Sequence, residues 1–375
     1  MRRLGSLGLA LAVAAALAGC GGKKKDKTTP TGTGGGSAAG DATGMNDTGD
    51  PDGTGVPDGT GGTGGTGGDV TLPTGTGGGD GTDGGDVAGT PTPPPIVAPN
   101  LDISPEQARA EVERNLAAAR GKLAGATPDP DGAILAAKAA LAVDGTNVDA
   151  QIAIAHAYYL KKLTDTAEVI LDTLNNKRRQ AVENNAYLYY VYGLIYDRNN
   201  EPTRSFAAYR KAVALSPNFA SALINLGVHQ LDNKQYADAT ATFERLTGSL
   251  NRTDAPTWSS LGSAYRGRSA DYEVGSPNRT QLLQQAETAY KRALAADQRY
   301  GPAYYNLGLL YLDADPFPEG GGAMDTLVRL NKAKTYFDEY KNMPGVDLAL
   351  YDERLKDVTK LIKREEKKRK KSASG

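Results

Sequence analysis

No aromatic residue precedes Tyr158 in this 375-residue chain, and all 19 tyrosines lie between Tyr158 and Tyr351. The ring-free N-terminal part is glycine-loaded, with 26 of the 46 glycines falling between Gly21 and Thr90. It has too little to bury to offset the entropy of ordering it, so an ordinary core is confined to the C-terminal part. Cysteine occurs once, which excludes an internal disulfide and a thiolate metal cage. Histidine occurs only at His156 and His229, too few for a His-rich metal site. A net charge of -1 argues against a nucleic-acid binder, which would be strongly basic. G-x-x-x-x-G-K-[ST], G-x-S-x-G and H-E-x-x-H are all missing, and the glycine runs do not join a strand to a helix. No carboxylate pair stands out from the acidic residues of helix surfaces. The expectation is a non-enzyme with no metal and no cofactor.

What is present begins with an export-like N-terminus. Arg2 and Arg3 precede an apolar run from Leu4 to Leu17. As a helix that run spans about 21 Å, short of the roughly 30 Å hydrocarbon core, so a signal peptide is favoured over a permanent span. Leu17-Ala18-Gly19-Cys20 then resembles the lipobox of bacterial lipoproteins. That resemblance implies a signal peptide over residues 1–19 and a mature chain starting at a diacylated and N-acylated (palmitate-type) Cys20. Several acyl chains together hold a protein on a membrane. Gly21, where an Asp would favour the inner membrane in well-studied Gram-negative bacteria, points to the outer membrane, facing the periplasm.

Residues 20–100 read as a tether of Gly, Thr, Asp and Pro. Lys23, Lys24, Lys25 and Lys27 beside the lipid either touch anionic head groups or serve solubility alone. Ten Asp lie between Asp26 and Asp86. A Gly-rich coil of this length has an r.m.s. span of about 50 Å. The folded part is thereby expected to act well away from its anchor.

From residue 101 the chain repeats itself. Tyr189-x-x-Tyr192-Gly193-x-x-Tyr196 returns as Leu223-x-x-Leu226-Gly227, as Trp258-x-x-Leu261-Gly262-x-x-Tyr265 and as Tyr304-x-x-Leu307-Gly308-x-x-Tyr311. Each is followed by a second set: Ser205/Tyr209/Ala212, Ala239/Phe243/Leu246, Ala286/Tyr290/Ala293 and Ala333/Phe337/Tyr340. Spacings of three and four put each set on one helix face. The glycine lets a paired helix approach, and the following aromatic fills the space beside it. This pattern resembles the tetratricopeptide (TPR) repeat. Two degenerate repeats precede these, marked by Ala155, Tyr158, Ala167 and Leu171, and by Ala133, Ala137 and Ala140, the first helix starting near Ser104 with Pro105 in its first turn. The expected fold is all-α, a TPR-type superhelix of about six helix pairs over residues 101–345. Val346 to Lys363 carries Leu348, Tyr351, Leu355, Val358 and Ile362 at helical spacing, so a capping helix is expected over residues 346–365. Residues 366–375 read as a basic disordered tail. Inserts after Tyr265 and Tyr311 are either binding loops or prolonged helix ends with a surface loop; the second, from Asp315 to Gly322, cannot be helix.

In the TPR family the first helix of each pair lines a concave groove. Carried over position by position, the resemblance assigns that groove Ile152, His156 and Tyr159, then Tyr187, Tyr190, Leu194 and Asp197, then Ile224, Val228 and Leu231, then Tyr305, Leu309 and Leu312. The fifth repeat contributes the polar Ser259, Ser263 and Arg266. Such a groove suits a helix or extended peptide held by burial and directed by tyrosine hydroxyls. Asn225 and Asn306 match the family's common Asn, but the Lys/Arg pattern of a carboxylate clamp is missing. The alternative is that these residues touch neighbouring repeats or the chain's own C-terminal helix.

The combined layout resembles TPR lipoproteins of myxobacteria and their relatives, including those of the adventurous gliding machinery. It implies a membrane-anchored periplasmic scaffold that binds envelope proteins, within an envelope-spanning motility complex. Two alternatives stay open: a pilotin-like lipoprotein assisting secretin or pilus assembly, against which the long linker counts, and a peptidoglycan-associated protein whose basic C-terminus holds the cell wall.

Overall fold

The computed structural model describes residues 103–125 and 127–374. The signal-like segment, Cys20 and the glycine-rich tether lie outside the described residues. Fourteen helices and one small hairpin occur in order among the described residues: α1 (Pro105–Leu123), α2 (Pro130–Val143), α3 (Val148–Leu160), α4 (Thr164–Lys177), the one-turn α5 (Arg179–Val182), α6 (Ala186–Arg198), α7 (Pro202–Leu215), α8 (Ala220–Asp232), α9 (Tyr236–Thr247), α10 (Ala255–Ser269), α11 (Pro277–Ala296), α12 (Gly301–Asp313), β1 (Pro318–Glu319), β2 (Gly322–Ala323), α13 (Thr326–Lys341) and α14 (Leu348–Ala373). Apart from α5 and α14 the helices pair consecutively, giving six pairs and a closing helix. This is the expected α-α superhelix.

Local chemistry sets the boundaries. Ser104 opens α1 with a capping box: its Oγ accepts from the Gln107 N–H at 3.2 Å, and the Gln107 side chain accepts from the Ser104 N–H at 2.9 Å. Three tight turns within pairs share one geometry. Lys162, Asn200 and Lys234 each stand at φ of 60° to 66°, two residues past the end of α3, α6 and α8. The following N–H reaches back to a carbonyl of the last turn, from Leu163 to Tyr158, Glu201 to Tyr196 and Gln235 to Gln230, at 2.7–2.9 Å. These are Schellman-type caps made without glycine.

Close helix approach explains the repeated glycines. A Cβ at Gly193 would stand 2.4 Å from the Tyr209 ring, at Gly227 2.7 Å from Phe243, at Gly262 2.6 Å from Tyr290 and at Gly308 2.5 Å from Phe337. All four rings are fully buried. Each ring occupies the place a side chain would take, which fixes the register of the pair.

Tyrosine hydroxyls tie one pair to the next. Tyr192 donates to Asp172 at 2.7 Å, Tyr265 to Glu244 at 2.6 Å, Tyr311 to Glu287 at 2.6 Å and Tyr351 to Asp338 at 3.0 Å. In each case the tyrosine sits on a leading helix or the closing helix, and the carboxylate on the second helix of the preceding pair.

The two inserts behave differently. After Tyr265 the chain prolongs α10 to Ser269 and starts α11 early, making it 20 residues long. After Tyr311 it forms the β1–β2 hairpin, Pro318 pairing with Ala323. The turn needs Gly320 and Gly321, both at positive φ (56° and 83°). Phe317, 1% exposed, packs 4.7 Å from the Tyr311 ring, and Met324 is buried too. Arg329, 3% exposed, donates to the carbonyls of Tyr311 and Leu312 and pairs with Asp315 at 3.1 Å. The insert seals the end of its helix pair rather than projecting as a free loop.

At the C-terminus the structure corrects the sequence reading. The basic tail expected to be disordered is helical: α14 continues through Lys367–Lys371 to Ala373. Its inward residues Tyr351 and Val358 are buried on the last pair, as expected of a cap.

Candidate functional site: the face of the leading helices

Leading helices α3, α6 and α8 lie side by side. On α6, Tyr187 and Tyr190 are three residues apart, so their rings share a face and stack at 6.3 Å and 17°. His156 of α3 meets both edge-on, at 5.8 and 5.9 Å, and its Nδ1 lies 2.8 Å from the Tyr187 hydroxyl. Tyr159 stands one turn further along α3, 6.2 Å from the His156 ring. The Arg198 guanidinium lies 3.8 Å above the Tyr159 ring and donates to the Tyr159 carbonyl. Tyr190 in turn meets Phe219, at the start of α8, at 4.9 Å. The result is a strip of rings crossing three successive pairs.

Burial keeps His156, Tyr187 and Tyr190 uncharged. Burial pulls the His156 pKa down to about 4, so its imidazole is uncharged near pH 7. Burial pushes the Tyr190 hydroxyl up to about 12 and Tyr187 higher still. Both phenols stay protonated and able to donate. An apolar segment laid here would meet ring faces, with hydroxyls as direction-setting partners.

Beside the strip is a polar cluster. Asp197 accepts from the Tyr209 hydroxyl at 2.7 Å and lies 2.8 Å from His229 Nε2, which is 3.1 Å from the fully buried Ser205 Oγ. Burial alone would raise the Asp197 pKa; hydrogen bonds from His229, Ser205 and Tyr209 outweigh it and hold it below the ordinary carboxylate value. Ser, His and Asp together suggest a catalytic triad, but the geometry is different. One ring nitrogen serves both neighbours, whereas a triad needs Asp and Ser on opposite nitrogens. The cluster fixes α6, α7 and α8 to one another.

Several residues assigned to the groove are instead inside the solenoid. Ile152, His156, Leu231, Tyr305 and Leu309 are buried. Ile152 is enclosed in a core cluster that includes Leu171, Leu188 and Val191. Leu231 and Leu309 belong to the large C-terminal core. Tyr305 lies between Phe337 and Tyr340, at 5.8 and 5.2 Å, while Arg354 of α14 reaches its hydroxyl at 3.4 Å. The physical reason is common to the set: the flank of a leading helix is covered by helices later in the chain, and for α12 the covering includes α14. Tyr159, Tyr187, Tyr190, Leu194, Ile224, Val228 and Leu312 remain half-buried, and Asp197 is exposed. In the fifth pair Ser259 and Ser263 are buried, and Arg266 pairs with Asp313 at 3.1 Å. Of the two family-type asparagines, Asn306 is buried against Ser259 at 3.3 Å.

Phe219 and Arg198 were not legible as site residues. Phe219 precedes α8 and falls outside the helical spacing; Arg198 directly follows Asp197, and that adjacency was the available signal. Among the described residues no helix is long and apolar enough to cross a membrane, and no three His, Cys, Asp or Glu side chains group as metal ligands.

The tetratricopeptide repeat profile matches residues 186–219, the stretch from α6 to Phe219 that carries the centre of the ring strip. The described helices form a TPR-type α-α superhelix. Solved structures similar to it include PilF of Pseudomonas aeruginosa (16% identity, 68% of this chain and 97% of that one, TM-score 0.46). PilW, described as a type IV pilus biogenesis factor, has 18% identity over 68% of this chain and 100% of that one, with a TM-score of 0.43. MamA from Desulfovibrio magneticus has 17% identity over 52% of this chain and 96% of that one, with a TM-score of 0.40. None of the curated proteins compared with the chain matches it.

Proposed function

We propose that this TPR protein is a lipid-anchored scaffold of the cell envelope that holds an apolar helical or extended segment of a partner protein on the strip formed by Tyr159, Tyr187, Tyr190 and Leu194. The supporting observation is the strip itself: the half-buried rings of Tyr159, Tyr187 and Tyr190 gather around His156 across α3 and α6, with Leu194 half-buried one turn beyond Tyr190. The last pair is left out of the groove, because α14 covers its corresponding positions. Anchoring rests on Cys20 and the tether on residues 20–100, both read from the sequence. The outer membrane facing the periplasm is the proposed location, and an envelope-spanning motility complex is the proposed setting.

Two experiments test this separately. Tyr190→Ala with Leu194→Ala should reduce crosslinked partner capture at least tenfold with helicity retained by circular dichroism; undiminished capture would remove the strip as the site. Cys20→Ser should move the protein from the membrane pellet to the soluble fraction. Retention of that variant in the pellet after a high-salt wash would refute the lipid anchor.

A further inference from the structure

Helical continuation of the C-terminus turns a run of charge into a face. Successive residues of α14 advance by about 100° around its axis. Tyr351, Leu355, Val358 and Ile362 define the side against α13. Glu365 and Arg369 continue that side: Arg369 pairs with Glu365 at 3.1 Å and with Asp325, the N-cap of α13, at 2.6 Å. The opposite side carries Lys360, Lys363, Arg364, Lys367, Lys370 and Lys371, all exposed. Glu365 and Glu366 fall outside that arc, so the outward row is of one sign over about 17 Å. None of the six cations forms an ion pair among the described residues.

The row works against the helix that carries it. Lys363, Lys367 and Lys371 are four residues apart, as are Lys360 and Arg364, and like charges at that spacing destabilise a helix. Favourable interaction with the helix C-terminal dipole offsets only part of this. A bound polyanion would relieve the repulsion and release its own counterions.

Three other kinds of partner would use this face only in part, through charge alone. A helix lying in a membrane interface buries an apolar side, and here that side is occupied by α13. A folded protein partner would need an uncharged centre to its contact, and this row has none. Nucleic-acid base edges are read by planar guanidinium and amide groups, whereas five of the six side chains here are lysines, hydrated point charges indifferent to geometry. A solvated, extended chain bearing carboxylates at intervals meets the same row without demanding shape.

We propose that the outward face of α14 from Lys360 to Lys371 binds a linear polysaccharide carrying carboxylates. The site is separate from the ring strip, so loss of one leaves the other intact.

The test uses the full chain and polygalacturonate immobilised on beads, with dextran beads, phosphatidylglycerol vesicles and duplex DNA as the other arms. Retention on polygalacturonate at about 50 mM salt, release at about 200 mM, and no retention on dextran are expected for an ionic contact of this kind. Lys363→Glu with Lys367→Glu and Lys371→Glu should cut retention at least tenfold. Should circular dichroism show that this variant uncoils α14, the corresponding triple Gln variant keeps helix propensity and should still lose several-fold. The proposal is overturned if folded variants bind as the parent does, if vesicles or DNA retain the protein better than polygalacturonate, or if the parent is not retained at low salt.

Discussion

The Tyr265 hydroxyl donates to the Glu244 carboxylate at 2.6 Å, joining the leading helix of the fifth pair to the second helix of the fourth. Burial and that carboxylate both raise the Tyr265 pKa, so the phenol remains a donor across the range in which the protein is handled. Because the same latch recurs at Tyr192, Tyr311 and Tyr351, its contribution is open to measurement at several sites. Tyr265→Phe keeps the ring and removes the hydroxyl. A bond to a charged acceptor is worth about 1.5–3 kcal/mol, and partial exposure puts this one at the lower end. The expected result is a lower urea midpoint with an unchanged slope. Identical midpoints would show that the latch adds nothing to stacking.

Gly227→Leu should destabilise the fourth pair, because Gly227 is buried where its two helices approach most closely. The added side chain would enter the Phe243 ring, 2.7 Å from the first carbon alone. Overpacking of this kind costs about 1–3 kcal/mol. A thermal melt reads it, and the compensating Phe243→Ala should recover part of the loss if the two positions are coupled.

Acid should weaken the fold through His156. Its folded pKa is about 4 against an ordinary value of 6.5. The unfolded chain therefore binds a proton below about 6.5 while the folded one refuses it until about 4. Stability is unaffected above the upper value, falls between the two and levels off beneath. The size is on the order of 3 kcal/mol at most. Hydrogen-bonded carboxylates such as Asp197, whose folded pKa is lowered, also lose their contribution to stability as pH falls through the folded pKa. His156→Gln separates the terms: between pH 7 and pH 4.5 it should lose less stability than the parent. Equal losses would mean that His156 is not held neutral.

Phe317→Ala should cost about 3 kcal/mol, since a fully buried ring is removed from the sealed end of the sixth pair. It should also make the Gly320–Gly321 turn a preferred point of limited proteolysis. A variant that melts and resists protease as the parent does would return the hairpin to the status of a surface loop.

Two truncations divide α14. Removing residues 366–375 deletes the Arg369–Asp325 pair, which is half-exposed and worth little, so the melting temperature should hold. Removing 346–375 uncovers the surface around Tyr305 and Phe337 and should lower stability and promote aggregation. Equal stability of both with the parent would mean that α14 does not cap the solenoid.

The sequence by itself determined the helix pairs. Gly193, Gly227, Gly262 and Gly308 with their partner aromatics mark each close approach, and Ser104-Pro105 marks the first helix start, because these demands act within a few residues or one repeat. It also determined that the second insert is not helix. What it did not determine is which leading-helix residues stay accessible. Tyr187 and Tyr190 occupy the same pattern positions as residues elsewhere in the solenoid, yet Tyr305, at the position of Tyr190, is covered by α14 and Tyr190 is not. Exposure there depends on the neighbouring element, not on the repeat. The Lys367–Lys371 run reads as a solvated coil by charge alone. Only packing of Tyr351 and Val358 on α13, with Arg369 fastened to Asp325, carries the helix to its end and gathers the charges on one side.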